Sequence, residues 1–179
     1  MQQTDPVWKN KFIVLETERL LIFPLSRSEM RLYTQQGNAL EKSLGLEKGN
    51  REITPELTDA LKHSIMPAIE QGNSLIEFVT LWTIIYRQDN VMVGDLCFKG
   101  GPGPKKEIEI GYGTYPEYRG KGFMSEAIIA ITRWALSRPD VKLVLAETKD
   151  GNVASQQILK KAGFRLYKQE RGMFFWKKE

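Results

Sequence analysis

Arg119-Gly120-Lys121-Gly122 places two full positive charges and two side-chain-free backbone positions within four residues. A helical pattern begins directly behind them: Met124, Ala127, Ile128, Ile131, Trp134 and Ala135 recur at i, i+3, i+4 spacing. The first amides of a helix have no partner within it, and the helix dipole makes that end electropositive. Glycines adopt dihedrals that other residues avoid and let a ligand approach the backbone. Together these features describe an anion pocket suited to phosphate. A charge-assisted hydrogen bond contributes on the order of 1.5–3 kcal/mol, against about 0.3–1 kcal/mol for the dipole, so a cradle of several amides outweighs the dipole alone. The common nucleotide motifs do not fit. Walker A needs Ser or Thr after its lysine, and Lys121 is followed by Gly122; the dinucleotide fingerprint needs a third glycine where Ser125 stands.

Other reactive side chains are few. In KKEIEIGYGT (105–114) strand alternation puts Glu107, Glu109 and Gly111 on one face and Ile108, Ile110 and Tyr112 on the other. The isoleucine face should meet the core, which leaves Glu109 on the open side. The one cysteine, Cys97, lies in an apolar run and reads as a small buried residue. The sole histidine, His63, falls in a helical pattern and reads as a surface or packing residue. Cys, His and carboxylate spacing gives no metal-site pattern.

Elements must bring these residues together. Residues 1–16 include a loose arm, with Trp8 packing back. Residues 19–25 form a strand, and Ser26 with Glu29 has capping-box spacing for a helix. Residues 37–53 are polar and read as a loop. Thr54-Pro55 starts a second helix, with Leu57, Leu61, Ile65 and Ile69 on one face, a disturbance at Pro67 and an end at Gly72. Residues 75–87 are apolar and β-branched, a long strand, and 91–98 return as its partner. Strand 105–114 precedes the glycine stretch and its helix. Residues 141–148 are nearly continuously apolar, which predicts burial on both faces. A short helix spans 152–162, and the chain closes in a hairpin around Arg171-Gly172. The expected fold is α+β, an α/β sandwich with a mixed central sheet flanked by helices, and residues 17–179 form one domain.

The 179 residues carry 26 Lys plus Arg and 22 Asp plus Glu, a net charge of +4, with no block of five like charges. A nucleic-acid tail is therefore not expected. No apolar run reaches the roughly 18 residues of a membrane span, and MQQTDPVWKNK has no signal-peptide core. The expectation is a soluble, cytoplasmic domain with no membrane or nucleic-acid partner.

The stretch Arg119-Gly120-Lys121-Gly122, followed by Phe123-Met124-Ser125-Glu126-Ala127, resembles the acetyl-CoA signature R/Q-x-x-G-x-G/A of the GNAT superfamily of N-acetyltransferases. Arg119 and Gly122 match, and Met124 replaces the final small residue. Downstream, Asn152-Val153-Ala154-Ser155 and Lys161-Ala162-Gly163-Phe164 resemble the N-x-x-S…K-x-G-F segment of the ribosomal-protein N-terminal (alanine) acetyltransferase branch, as does ETERLLIFPL (16–25). The resemblance implies acetyl-CoA as co-substrate, with the loop 119–124 (Arg119, Gly120, Lys121, Gly122, Phe123, Met124) on its pyrophosphate. It implies that the strand before the loop splays from its neighbour, with Thr114 facing the thioester. It places Asn152 on the pantetheine and Ser155 near the sulfur, where a hydroxyl could protonate the thiolate; from the residues alone, Asn152 serves equally as a helix N-cap and Ser155 as a first-turn serine.

The implied reaction is direct attack of a primary amine on the thioester, without a covalent enzyme intermediate or a metal. Glu109, in a segment where relatives often carry glutamate, is the expected proton acceptor, with water as the alternative. The acceptor is a protein N-terminus or a small-molecule amine, and a homodimer is the assembly to test. Residues 38–59 should flank the acceptor cleft and carry Glu41, Glu47, Glu52, Glu56 and Asp59 against Lys42, Lys48 and Arg51, a hint of a cationic acceptor. The competing reading is a non-catalytic acyl-CoA-binding regulatory module on the same fold.

Overall fold

The computed structural model describes residues 7–35, 37–72 and 75–179. In chain order the elements are β1 (Leu15–Glu16), β2 (Leu20–Pro24), α1 (Arg27–Tyr33), α2 (Ala39–Leu44), α3 (Pro55–Ala60), α4 (Met66–Glu70), β3 (Leu81–Tyr86), β4 (Val91–Phe98), β5 (Glu107–Thr114), α5 (Phe123–Leu136), β6 (Leu143–Lys149), α6 (Val153–Lys161), β7 (Arg165–Glu170) and β8 (Met173–Lys178). Residues 1–6 of the expected arm lie outside the described residues. Trp8 sits in a short 3-10 turn and packs against the core, as its size suggested.

The eight strands form one sheet in the order β1-β2-β3-β4-β5-β6-β8-β7. All neighbours are antiparallel except β5 and β6, which run parallel. The β5–β6 connection carries α5, the crossover that a parallel pair requires. A core on one face joins the sheet to α5 and α6 through Ile108, Ile110, Ile128, Ile131, Val144 and Leu159. A second core on the other face joins β2–β4 to α1–α4 through Phe23, Met30, Leu40, Leu61, Ile65 and Leu81. No helix among the described residues is long and apolar enough to cross a membrane.

Local signals behave as their chemistry dictates. Ser26 accepts from the Glu29 amide, and Glu29 reaches back to the Ser26 amide, a complete capping box. Thr54 caps α3 with Pro55 at its first position. Pro67 cannot donate a helical hydrogen bond. The chain meets this with a π-helical turn over Leu61–Ile65, in which the Met66 amide reaches back to the Leu61 carbonyl.

Three expectations are corrected. Residues 37–53 are not all loop: α2 forms within them because Leu40 and Leu44, one turn apart, both bury in the core that α1 also enters, and Gly45 ends the turn at φ +68°. The run 75–87 is not one strand. Ile76–Phe78 is a 3-10 turn whose Glu77 carbonyl accepts from the Trp82 indole at 2.7 Å, and the strand starts only at Leu81. Nor is 141–148 buried on both faces. Val144, Ala146 and Thr148 are buried, while Leu143 and Leu145 are half-buried and Glu147 is exposed. The strands covered twice are β2, β3 and β4, because α1–α4 lie over that half of the sheet.

Candidate active site

The site begins where the sheet parts. β5 and β6 pair only at Glu107–Leu143, Ile108–Val144 and Glu109–Leu145. Beyond that point β5 remains paired to β4 from Ile110 to Thr114, and β6 to β8 as far as Lys149, with no ladder between them. The β6-side edge of residues 110–114 is thereby left without a strand partner. Tyr112 spans the opening: its hydroxyl donates to the Ser155 carbonyl on α6 at 3.1 Å, and burial pushes the phenol up to about 12.

At the end of β5 the chain turns through Pro116–Tyr118 into the glycine loop. Gly120 and Gly122 take φ +75° and +80°, left-handed positions where other residues are strained. Glu117, just before the loop, accepts from the Asn50 amide group. Phe123 and Met124 are both buried and serve the core, so of their atoms only the amides are suited to a ligand. No side chain caps α5.

The loop's charges are arranged differently from the expectation. Arg119 donates to the Thr114 carbonyl at 3.1 Å and to Glu52 at 2.8 Å, which ties the loop to the segment before α3. Lys121 lies over the Tyr118 ring at 5.1 Å. A further cation, which no local motif in the sequence marks, stands behind the loop. Arg19 donates to the Lys121 carbonyl at 3.0 Å and lies over Phe123 at 4.7 Å. It also holds Glu126, whose acidity burial would weaken; the Thr17 hydroxyl, the Arg19 amide and the Arg19 guanidinium outweigh that and hold the carboxyl below its usual range. Glu126, an acid in the first turn of α5, is therefore already charge-compensated at the N-terminal end of the helix.

On the opposite side of the opening, Asn152 accepts from the Ser155 amide at 3.1 Å and so is the N-cap of α6. The Ser155 hydroxyl makes no hydrogen bond to the described residues. Thr114 is the last residue of β5, opposite Gly94. Glu109 is not brought to it. It sits five positions back, roughly 16 Å along the strand, where β5 and β6 still pair, and it forms an ion pair with Lys99. Among the acids of 38–59, Glu41 pairs with Arg51 and Glu52 with Arg119, so neither is an uncompensated charge for a cationic acceptor. His63 is exposed beside Asp59, and burial pushes the Cys97 thiol up to about 11, which leaves it a poor nucleophile near neutrality.

Comparison with known proteins decides the family. Residues 19–165 match the family model described as an acetyltransferase (GNAT) domain. The chain belongs to the GNAT acetyltransferases. It is an acetyl-CoA-dependent acetyltransferase, which sets aside the reading as a non-catalytic module. YjdG of Bacillus subtilis (strain 168), named as an uncharacterized N-acetyltransferase, is 29% identical over 154 residues, covering 86% of this chain and 90% of that protein. YoaA of the same organism, named likewise, is 26% identical and covers 86% and 84%. Among solved structures, a RimL ribosomal L7/L12 alpha-N-protein acetyltransferase in complex with coenzyme A has a TM-score of 0.64 at 17% identity, covering 93% of this chain and 97% of that one. The ribosomal-protein-S5-alanine acetyltransferase of Vibrio fischeri has a TM-score of 0.61 at 16% identity, covering 93% and 96%. Both likenesses are of fold. The GNAT chain's parted strands and glycine loop are the local features that fit acetyl-CoA.

Proposed function

We propose that this GNAT chain acetylates a primary amine, on a protein N-terminus or a small molecule, by direct attack on the thioester. The observation that carries the reading is the parting of β5 from β6 after Glu109 and Leu145, next to an uncapped helix start with two left-handed glycines. Acetyl-CoA supplies the activated acetyl group. The amides of 120–124 hold its pyrophosphate, helped by Lys121 and by the Arg19 charge behind the loop. The unpaired edge of β5 takes the pantetheine, and an amide near Thr114 holds the carbonyl oxygen as negative charge develops there. Asn152 preserves the start of α6, and the Ser155 hydroxyl gives a proton to the departing sulfur. Residues 17–179 act as one acetyltransferase domain. The names of the ribosomal-protein acetyltransferases among its structural neighbours favour a protein N-terminus.

The test is an acceptor screen with free-thiol detection, covering N-terminal peptides, polyamines, amino acids and aminoglycosides. Thiol release that depends on a primary amine is expected. Binding of acetyl-CoA with no acceptor-dependent release across the panel would refute the reading.

A further inference from the structure

Five polar side chains from separate parts of the chain are gathered on the α1–α4 side of β4 and β5. Asp95 of β4 is 4% exposed, and Tyr33 at the end of α1 and Tyr115 just past β5 are 0% and 3% exposed. Both phenols donate to one carboxylate oxygen, Asp95 Oδ2, at 2.7 Å and 2.6 Å. Arg51 lies over the Tyr33 ring at 4.4 Å, donates to the Tyr33 carbonyl and pairs with Glu41 of α2 at 3.4 Å. The other oxygen, Asp95 Oδ1, is buried with no partner among the described residues. A buried carboxylate oxygen left bare is strongly destabilising. A feature this costly asks for a use.

Its position suggests one. Asp95 lies opposite Gly113 in the β4–β5 register, one residue from Thr114 and within the stretch where β5 has left β6. Gly113 is exposed, and nothing stands within 4 Å of where a Cβ on it would be. The sheet surface beside Asp95 is therefore open at the one residue that separates the carboxylate from the end of β5. We propose that Asp95 is the base of the reaction: acceptor binding admits one water molecule over Gly113 to Oδ1, which takes the acceptor's proton through it, while the two tyrosines hold Oδ2. This rests on the reading of the chain as an amine acetyltransferase.

The chemistry balances as follows. The acceptor ammonium gives one proton to Asp95 and becomes a neutral amine. Its lone pair forms the new N–C bond to the acetyl carbon, the C–S bond breaks, and sulfur keeps the electron pair. The second N–H proton passes by way of the Ser155 hydroxyl to the thiolate, and Asp95 returns its proton to solvent. The products are an amide, the CoA thiol and one proton.

The surroundings suit a base near neutrality. Burial pushes the Asp95 carboxyl up to about 6; the hydrogen bonds from Tyr115 and Tyr33 and the Arg51 charge oppose it, and Glu41 adds to it. Tyr33 and Tyr115 are raised well above their ordinary range, chiefly by burial, so both remain donors throughout. Cys97, on the same strand face, is neutral. Glu109, by contrast, is bound to Lys99 at the closed base of the opening.

The experiment measures kcat/KM for the amine against pH, with acetyl-CoA affinity measured separately by calorimetry. The intact chain should lose activity below about pH 6. Asp95→Asn should lower kcat/KM by about 100-fold or more and abolish that acid limb, with acetyl-CoA affinity unchanged, while Glu109→Gln keeps the limb. Tyr33→Phe and Tyr115→Phe keep the carboxylate but remove donors from it. Each should move the limb to higher pH, a response that a merely structural cluster would not give and one that serves even if Asp95→Asn fails to fold. An active wild type alongside an Asp95→Asn variant with the same rate and limb would overturn this inference alone, as would tyrosine variants with an unmoved limb. A wild type with no amine-dependent thiol release would overturn both this and the proposed function.

Discussion

The two halves of the proposed site are built from different material. The cofactor half is mostly backbone: two left-handed glycines, an uncapped helix start and a strand edge without a partner. The acceptor half is mostly side chain: Tyr33, Glu41, Arg51, Asp95 and Tyr115 come from five places and are buried together. Backbone amides serve any anion of the right shape and need only local geometry. A buried polar cluster is costly unless each member is satisfied, so it depends on every element that contributes to it. Damage to the first half should be confined to ligand binding, whereas damage to the second should spread to the stability of the fold.

The largest effect is expected at the loop. Gly122→Asp forces a side chain at φ +80° and sets a carboxylate among the phosphate oxygens. Acetyl-CoA affinity should fall about 1000-fold, roughly 4 kcal/mol, with the melting temperature little changed. Unchanged affinity by calorimetry in a folded variant would remove the loop from the cofactor half.

Next is Arg51→Met, which leaves Glu41 buried without its cation. Denaturant titration should show a loss of about 3–5 kcal/mol, with acetyl-CoA affinity in the surviving folded protein intact. A variant as stable as wild type would show that the acceptor half is not held by this pair.

Asp95 also predicts a pH dependence of stability. Its folded pKa of about 6 lies above the ordinary value of 3.8, so between those values the folded state binds more protons than the unfolded one. The group's contribution is fully present below about pH 4 and is lost as pH rises through about 6, a change of about 3 kcal/mol. Asp95→Asn should lack this component when unfolding free energies are compared from pH 4 to 7. Parallel curves for the two proteins would contradict the raised value.

The smallest effect sharpens the contrast. The Arg119 guanidinium is engaged by Glu52 and the Thr114 carbonyl. Arg119→Ala should weaken acetyl-CoA by less than tenfold, below about 1.4 kcal/mol. A loss as large as that at Gly122 would mean that this side chain, not the backbone, carries the phosphate.

How legible each half was follows from the same difference. The glycine loop, the helix behind it, the Ser26 capping box, the Thr54-Pro55 start and the N-x-x-S turn at Asn152 are signals within a few consecutive residues. Such signals act through neighbouring backbone groups, so the sequence alone determined them, and with them the superfamily resemblance that the match over 19–165 supports. Periodicity failed where two environments share one composition. The apolar runs at 75–87 and 141–148 could not reveal that a turn precedes the first strand and that helices cover only one face of the second. Tertiary structure alone decided where β5 parts from β6, that Lys99 occupies Glu109, and that Arg19 stands behind the loop. It also decided the company of Asp95. The strand VMVGDLCF carries one acid among apolar residues, but the partners of that acid at 33, 51 and 115 are separated from it by up to 62 residues. Nothing local specifies a contact of that range; it exists because α1, the segment before α3 and the end of β5 are all packed onto one face of β4.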